Sequence, residues 1–131
     1  MNSPDGGPTL RMLRHGRVEL ALHELRRGPG RPLLLLHGLG EQTPSEVPTW
    51  AARWSGPVLG LDFCGHGRST SPRGGGYTAE ALLGDVDAVI AEMGEMSIVG
   101  RGLGAYVAVS YTHLPEGTHS VRPEWQPPAN P

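Results

Sequence analysis

The stretch Leu61-Asp62-Phe63-Cys64-Gly65-His66-Gly67-Arg68-Ser69 decides the fold of this chain, because it joins the end of an apolar run to a turn rich in glycine and polar residues. Two other segments have the same arrangement. The four leucines at 33–36 precede His37-Gly38-Leu39-Gly40, and the run 96–99 precedes Gly100-Arg101-Gly102-Leu103-Gly104. A short apolar run bounded by turn residues is typical of a strand buried on both faces. The sequence therefore predicts three buried strands, near 32–36, 57–61 and 95–99.

Helical patterns lie between and after these strands. Apolar residues between 82 and 93 recur at i, i+4, i+7 and i+11, which places them on one side of a helix. We expect Thr78 to cap this helix, Gly94 to end it, and a second helix to cover 103–113. A short helix is predicted from Thr49 to Trp54, and segments 11–14 and 17–25 predict an N-terminal β-hairpin. Strands that alternate with helices predict an α/β fold whose parallel sheet has right-handed crossovers.

Composition and charge exclude several classes of protein. The chain has 131 residues, enough for one ordinary domain, and a formal net charge of −2, which argues against a nucleic-acid-binding surface. A single Cys excludes an internal disulfide framework, and no metal site or cofactor is predicted. No apolar run is long enough to span a bilayer, and the N-terminus has no signal-peptide pattern, so we expect a cytoplasmic protein without a membrane partner. The expected partner is a small-molecule substrate or ligand, and the oligomeric state stays open.

The three turns, taken together and in order, resemble those of the α/β-hydrolase family. The segment 61–69 is similar to the family's D-x-x-G-H-G-x-S pattern, and the strand that ends in His37-Gly38 resembles the family's oxyanion-loop strand. The turn 100–104 lies where the nucleophile elbow is expected. The motif residues that the resemblance implies are His37, Gly38, Asp62, Gly65, His66, Gly67, Ser69, Gly100 and Gly104. The resemblance covers roughly residues 11–112 and implies an incomplete α/β-hydrolase fold, the N-terminal part of a catalytic domain.

The turn 100–104 departs from the family pattern at its central position. The family motif G-x-S-x-G holds a serine nucleophile on a sharp turn between a strand and a helix. Gly100 and Gly104 supply the small flanking residues, but the nucleophile position is Gly102, which has no side chain. The resemblance also implies two backbone oxyanion donors, the N–H groups of Leu39 and Leu103. The chain ends 29 residues after Gly102, too soon for the family's acid and base, so we expect a catalytically incomplete protein of a lineage that hydrolyses esters or related bonds.

Most of the other noteworthy side chains have structural interpretations. His37 and His66 are expected to organise their loops, because the family's catalytic base follows the nucleophile in the chain. Asp62 is expected to bond backbone groups of its own loop, and Cys64 to be an ordinary thiol. The three large aromatic residues of this region are expected in the core rather than in a pocket: Trp50, Trp54 and Phe63.

Two alternative functions rest on the same turn. A protein without a nucleophile could bind a small ligand in a pocket over Gly102. The spacing Gly100-x-Gly102-x-x-Ala105 also matches a dinucleotide-binding fingerprint, which requires a further strand and an acidic residue about twenty positions later. The corresponding region, 116–124, is rich in proline and shows no strand pattern.

Three segments are predicted along the chain: a disordered leader at 1–9, a partial hydrolase domain at 10–113, and a proline-rich disordered tail at 114–131. We expect the outer edge of the strand at 95–99 to lack a neighbour. Val109-Ser110-Tyr111-Thr112-His113-Leu114 resembles one translated frame of the transposon-end sequence used in sequencing adaptors. One hypothesis is that the native frame ends near Ala108; the other is a natural helix followed by a proline-rich tail.

Overall fold

The computed structural model describes residues 8–16, 18–69, 79–112 and 121–123. Within these ranges the secondary structure follows the predicted alternation of strands and helices. The strands are β1 (Thr9–His15), β2 (Val18–Arg26), β3 (Leu33–Leu36), β4 (Val58–Asp62), β5 (Met96–Gly100) and β6 (Val121–Pro123), and the α-helices are α1 (Ala79–Met93) and α2 (Leu103–Thr112). The predicted cap Thr78 lies outside the described residues.

The strands form a mixed sheet in the order β1-β2-β4-β3-β5-β6. Strands β1 and β2 are the predicted antiparallel hairpin, and β2 also pairs antiparallel with β4. The strands β4, β3, β5 and β6 run parallel to one another. The carboxyl ends of β3, β4 and β5 therefore meet at one edge of the sheet, where the three turns identified in the sequence follow them.

The two helices pack on one face of the sheet. The apolar stripe of α1 and the inner side of α2 meet alternate strand residues in the larger core cluster, which includes Leu34, Leu61, Phe63, Val86 and Tyr111. A smaller cluster on the other face, around Leu35 and Val99, is covered by the segment between β3 and β4. The four residues of β3 are all buried, as the continuous leucine run predicts.

Four expectations need correction. Val121–Pro123 forms a strand inside the tail that was expected to be disordered, and it pairs with β5, so the edge of β5 is covered. Strand β1 begins at Thr9, the last residue of the predicted leader, because its hydroxyl donates to Glu24 of β2. The helix predicted from Thr49 to Trp54 is one 3₁₀ turn, Thr49–Ala51.

The fourth correction concerns the aromatic residues between β3 and β4. Trp50 is 52% exposed rather than part of the core, because the 3₁₀ turn directs Ala51 to the sheet and Trp50 to solvent. Trp54 is half-buried against the smaller cluster and donates from Nε1 to the carbonyl oxygen of Arg31 at 2.8 Å. Phe63 is fully buried, as expected.

Candidate functional site

Two glycines allow the sharp turn between β5 and α2. A Cβ atom on Gly100 would lie 2.4 Å from the carbonyl carbon and oxygen of Gly104. A Cβ atom on Gly104 would lie 2.3 Å from the carbonyl oxygen of Leu36. These distances are far below van der Waals contact, so the start of α2 approaches both β5 and β3 as closely as only glycine permits.

Gly102 occupies the apex of this turn and has a φ of +56°. This left-handed conformation is strained for residues with a side chain. Among the residues that the structure describes, the space above it is nevertheless free: the nearest atom to an added Cβ would be the Cα of Gly38, at 3.7 Å. The turn thus combines a left-handed backbone conformation at Gly102 with enough room for a side chain, which glycine does not have.

The loop after β3 is fixed to this turn. The amide of Arg101 donates to the carbonyl oxygen of Leu36 at 3.0 Å. Glu41 accepts the Gly38 amide through Oε1 at 2.8 Å, and its Oε2 lies 3.4 Å from a guanidinium nitrogen of Arg101. Glu41 could not be identified from the sequence, because nothing in its spacing marks it as the group that joins the two loops.

Leu39 and Leu103 lie on these two adjoining segments. Leu39 is 66% exposed in the loop after β3, and Leu103 is the first residue of α2. Within the described ranges, neither amide N–H makes a hydrogen bond with another backbone or side-chain group. Free N–H groups of this kind can donate to a carbonyl oxygen or an anion.

His37 and His66 connect the loop after β3 with the loop after β4. His37 Nε2 accepts the amide of Phe63 at 3.0 Å, and His66 Nε2 accepts the amide of Gly40 at 3.0 Å. Each ring therefore carries its proton on Nδ1, from which His37 donates to the carbonyl oxygen of Gly38 and His66 to that of Cys64. Each histidine thus accepts a hydrogen bond from the opposite loop.

Asp62 organises the loop after β4 from a position that is 1% exposed. Its carboxylate accepts the amides of Thr43 and Arg68, both at 2.9 Å, and lies 2.7 Å from His23 Nε2. Burial alone would raise the pKa of this carboxyl, but the hydrogen bonds from His23, Arg68 and Thr43 outweigh it and lower the pKa to about 2. The predicted loop-organising contacts are present, and His23 is a partner that sequence spacing does not reveal.

The remaining positions of the motif 61–69 serve this same loop. A Cβ on Gly67 would lie 2.3 Å from Asp62 Oδ2, so the carboxylate fills the space that a side chain would need. Gly65 has a φ of +79°, which favours glycine. Ser69 donates to the carbonyl oxygen of Asp62 and accepts the amide of Ala21 at 2.8 Å, which joins the loop to β2.

Cys64 is buried behind this loop and contacts Asp85 of α1. Burial and the adjacent Asp85 carboxylate raise the pKa of the thiol to about 12. Asp85 also accepts the Cys64 amide at 2.9 Å, and burial raises its own pKa. A thiol in this state is a poor nucleophile.

An open cavity of about 470 Å³ lies between the loops after β3 and β4. Its lining consists of Leu39, Gly40, Glu41, Gln42, Gly65, His66 and Gly67. Gly102 is not among these residues, so this cavity lies beside the turn rather than over it.

In the part of the chain that the structure describes, no group of three or more potential metal ligands comes together. The helices within the same ranges are too short or too polar to cross a bilayer.

No family model matches the sequence, and no curated protein matches it. Solved structures do match. The thioesterase domain from the curacin biosynthetic pathway has a TM-score of 0.71 and 27% identity, over 79% of this chain and 40% of that one. The epoxide hydrolase VrEH1 from Vigna radiata has a TM-score of 0.69 and 25% identity, over 85% of this chain and 35% of that one. The haloalkane dehalogenase DatA from Agrobacterium tumefaciens C58 has a TM-score of 0.68 and 22% identity, over 88% of this chain and 39% of that one. The chain thus spans well under half of each.

Proposed function

Because this chain has the α/β-hydrolase fold, which confirms the resemblance and the fold class predicted from the sequence, we propose that it derives from hydrolases of esters or related bonds and does not itself hydrolyse them. The observation that carries this proposal is Gly102, at the apex of the turn where the family holds its nucleophile. Without a side chain there, no covalent intermediate forms at this position.

Neither of two nearby candidates replaces the missing nucleophile. The Cys64 thiol is buried and has a pKa of about 12. Ser97 is 1% exposed near the start of β5, and its hydroxyl accepts a hydrogen bond from Arg31. Ser97 therefore lies near the amino end of β5, whereas Gly102 follows the carboxyl end of that strand. His37 and His66 have both ring nitrogens engaged with backbone groups, so neither is placed as a base.

The oxygen-binding part of the site is what we propose the chain retains. The N–H groups of Leu39 and Leu103 lie on segments that meet beside Gly102, and the latter is at the N-terminus of α2, where the helix dipole favours negative charge. In the family's reaction such donors stabilise the oxyanion of the intermediate. Here they would polarise a bound carbonyl group that nothing attacks.

An acylation experiment separates these two parts of the proposal. In a Cys64→Ser background, Gly102→Cys introduces a thiol at the apex, and Gly94→Cys is the matched control. Both glycines have a positive φ, and within the described part of the chain neither has a close neighbour that would crowd a Cβ, but Gly94 follows the C-terminal end of α1. An activated ester should acylate the Gly102→Cys variant at least about tenfold faster, since a helix N-terminus lowers a thiol pKa and the donors stabilise the oxyanion.

Two results would contradict the proposal. Ester turnover by the unmodified chain above the uncatalysed rate would show that it is an active enzyme. Equal acylation rates of the two cysteine variants would show that the backbone donors do not act at Gly102.

A second candidate function is non-catalytic binding of a small molecule. The observation in its favour is the cavity of about 470 Å³, a volume typical of ligand sites, although it is lined by the loops at 39–42 and 65–67 rather than by Gly102. Titration with a simple carboxylic acid, followed by amide chemical shifts, tests this function. Saturable shifts at Gly40 and Gly67 would support it, and their absence up to millimolar concentrations would count against it.

Dinucleotide binding gains one supporting observation. Strand β6 follows α2 and pairs parallel with β5, so the further strand required by the fingerprint is present. The region where the fingerprint requires an acidic residue, 116–124, lies outside the described residues apart from the strand itself. Quenching of the intrinsic tryptophan fluorescence by NADH, measured against an equal concentration of AMP, tests it.

A further inference from the structure

His37 and His66 form a reciprocal pair of bridges, which we call the histidine latch. Each ring accepts an amide hydrogen bond from the opposite loop through Nε2 and donates from Nδ1 to a carbonyl oxygen of its own loop. The two side chains are buried, with exposed fractions of 7% and 9%, and their ring centroids are 4.9 Å apart. The latch thus joins the two loops that line the cavity.

This geometry requires both imidazoles to be neutral. A protonated imidazole carries a hydrogen on both nitrogens and accepts nothing. Protonation of His66 would direct Nε2–H at the amide N–H of Gly40, and protonation of His37 would do the same at Phe63. Two N–H groups that face each other at 3.0 Å repel, so either proton breaks one bridge. Two positive rings 4.9 Å apart would also repel each other.

Two carboxylates beside His37 belong to ion pairs. Asp62 at the end of β4 is paired with His23 of β2, and Glu41 is paired with Arg101 before α2. On the side of α1, Asp85 accepts the amide of Cys64, whose carbonyl oxygen accepts the hydrogen bond from His66 Nδ1. The nearby carboxylates favour protonation of His37, whereas burial and the neighbouring His66 oppose it. Burial is the largest of these effects, and the pKa of His37 lies below its ordinary value of 6.5.

We propose that His37 and His66 are positioning residues that hold the cavity loops together when neutral and release them when protonated, which makes the shape of the cavity depend on pH. The latch acts through the backbone of Gly40 and Phe63, and its His66 also lines the cavity. It is independent of whether the chain hydrolyses or binds an ester, and it is measured on the ligand-free chain.

The direction of the pH dependence follows from the lowered pKa of His37. In the unfolded chain this histidine takes up its proton near pH 6.5, and in the closed latch only at a lower pH. The contribution of the latch is therefore complete above about pH 6.5 and decreases as the pH falls below that value. Opening coupled to the uptake of one proton becomes about tenfold more favourable for each pH unit in this window.

Nuclear magnetic resonance of the full chain tests the latch in two steps. Long-range ¹H–¹⁵N spectra at pH 7.5 should show both rings with the proton on Nδ1; an Nε2–H form of either ring would overturn the proposal. The hydrogen-exchange protection factor of the Phe63 amide should then fall by as much as about tenfold between pH 7.5 and 5.5, because only the part of this range below pH 6.5 contributes, and protection of the Gly40 amide should fall in the same direction. Unchanged protection would overturn it as well.

Matched variants assign the effect to each ring. In His66→Gln the side-chain carbonyl oxygen can accept the Gly40 amide but does not titrate, so the pH-dependent fall should disappear at Gly40 and remain at Phe63. His15→Gln removes a histidine outside the loops and should leave both falls unchanged. A persistent fall at Gly40 in His66→Gln would overturn the assignment. Where a thermal melt shows that this variant does not fold, His37→Gln gives the same test with the roles of the two amides exchanged.

Discussion

The buried carboxylate of Asp62 should give this protein a specific sensitivity to acid. Its pKa is about 2 in the folded chain, against 3.8 for an unperturbed aspartate. Because the folded-state value is the lower one, the ionised carboxylate stabilises the fold above about pH 3.8, and this contribution is lost as the pH falls through 3.8 towards 2. At neutral pH the difference corresponds to about 2 kcal/mol in the free energy of unfolding.

Asp62→Asn removes this contribution while it keeps the size of the side chain. Asp62 accepts hydrogen bonds on both carboxylate oxygens, whereas an asparagine side chain has one acceptor oxygen. The NH₂ group of the asparagine would therefore face a backbone amide or His23. We expect the variant to lose about 2–4 kcal/mol at pH 7, since a buried polar contact is broken as well. The difference from the unmodified chain should shrink by about 2 kcal/mol between pH 4 and pH 2.

Urea unfolding at several pH values, followed by tryptophan fluorescence, measures both quantities. Glu46→Gln is the matched control, because Glu46 is exposed in the segment between β3 and β4 and its replacement removes one carboxylate without touching the loop network. Parallel pH profiles for the unmodified chain and Asp62→Asn would refute the reasoning. The same would hold if Glu46→Gln reproduced the effect.

Two further predictions concern the turn and the free thiol. Gly104→Ala should destabilise the chain by about 3 kcal/mol or prevent folding, because its Cβ would lie 2.3 Å from the carbonyl oxygen of Leu36. Gly102→Ala should destabilise it by only about 1–2 kcal/mol, the strain of a left-handed conformation. Urea unfolding of both variants measures these losses, and equal losses would contradict the prediction. Cys64 should resist iodoacetamide at pH 8 in the folded chain and react fully in urea, because its thiol is buried beside Asp85 in the folded chain. Mass spectrometry measures the modification, and rapid modification of the folded chain would contradict the raised pKa of the thiol.

The strands and helices could be predicted because their signals are local. The leucine run at 33–36 and the apolar stripe at 82–93 are complete within single elements, and both lie in the predicted structures. Strand β6 could not be predicted in this way. It is three residues long and contains a proline, and the strand with which it pairs, β5, lies more than twenty residues away in the sequence.

The candidate site shows the same division between local and long-range information. The glycines of the turn 100–104 and the histidines of the latch could be identified from short motifs, since each motif is contiguous in the sequence. The partners that hold them could not. Glu41 joins two loops through a side chain with no motif around it, and His23 reaches Asp62 only because β2 pairs antiparallel with β4. Such contacts depend on strand order, which a local pattern does not specify.

Strand order and packing also bear on the resemblance of 109–114 to an adaptor sequence. Tyr111 lies in the middle of that segment, is fully buried in the larger core cluster, and donates from its hydroxyl to Asp87 of α1 at 3.1 Å. A segment unrelated to the rest of the chain has no physical reason to provide a large side chain that fills the core and also satisfies its one polar atom. These contacts favour a natural helix that continues past Ala108. A genomic read across codons 105–120 decides the question, because a frame interrupted there would show that the fit of Tyr111 is fortuitous.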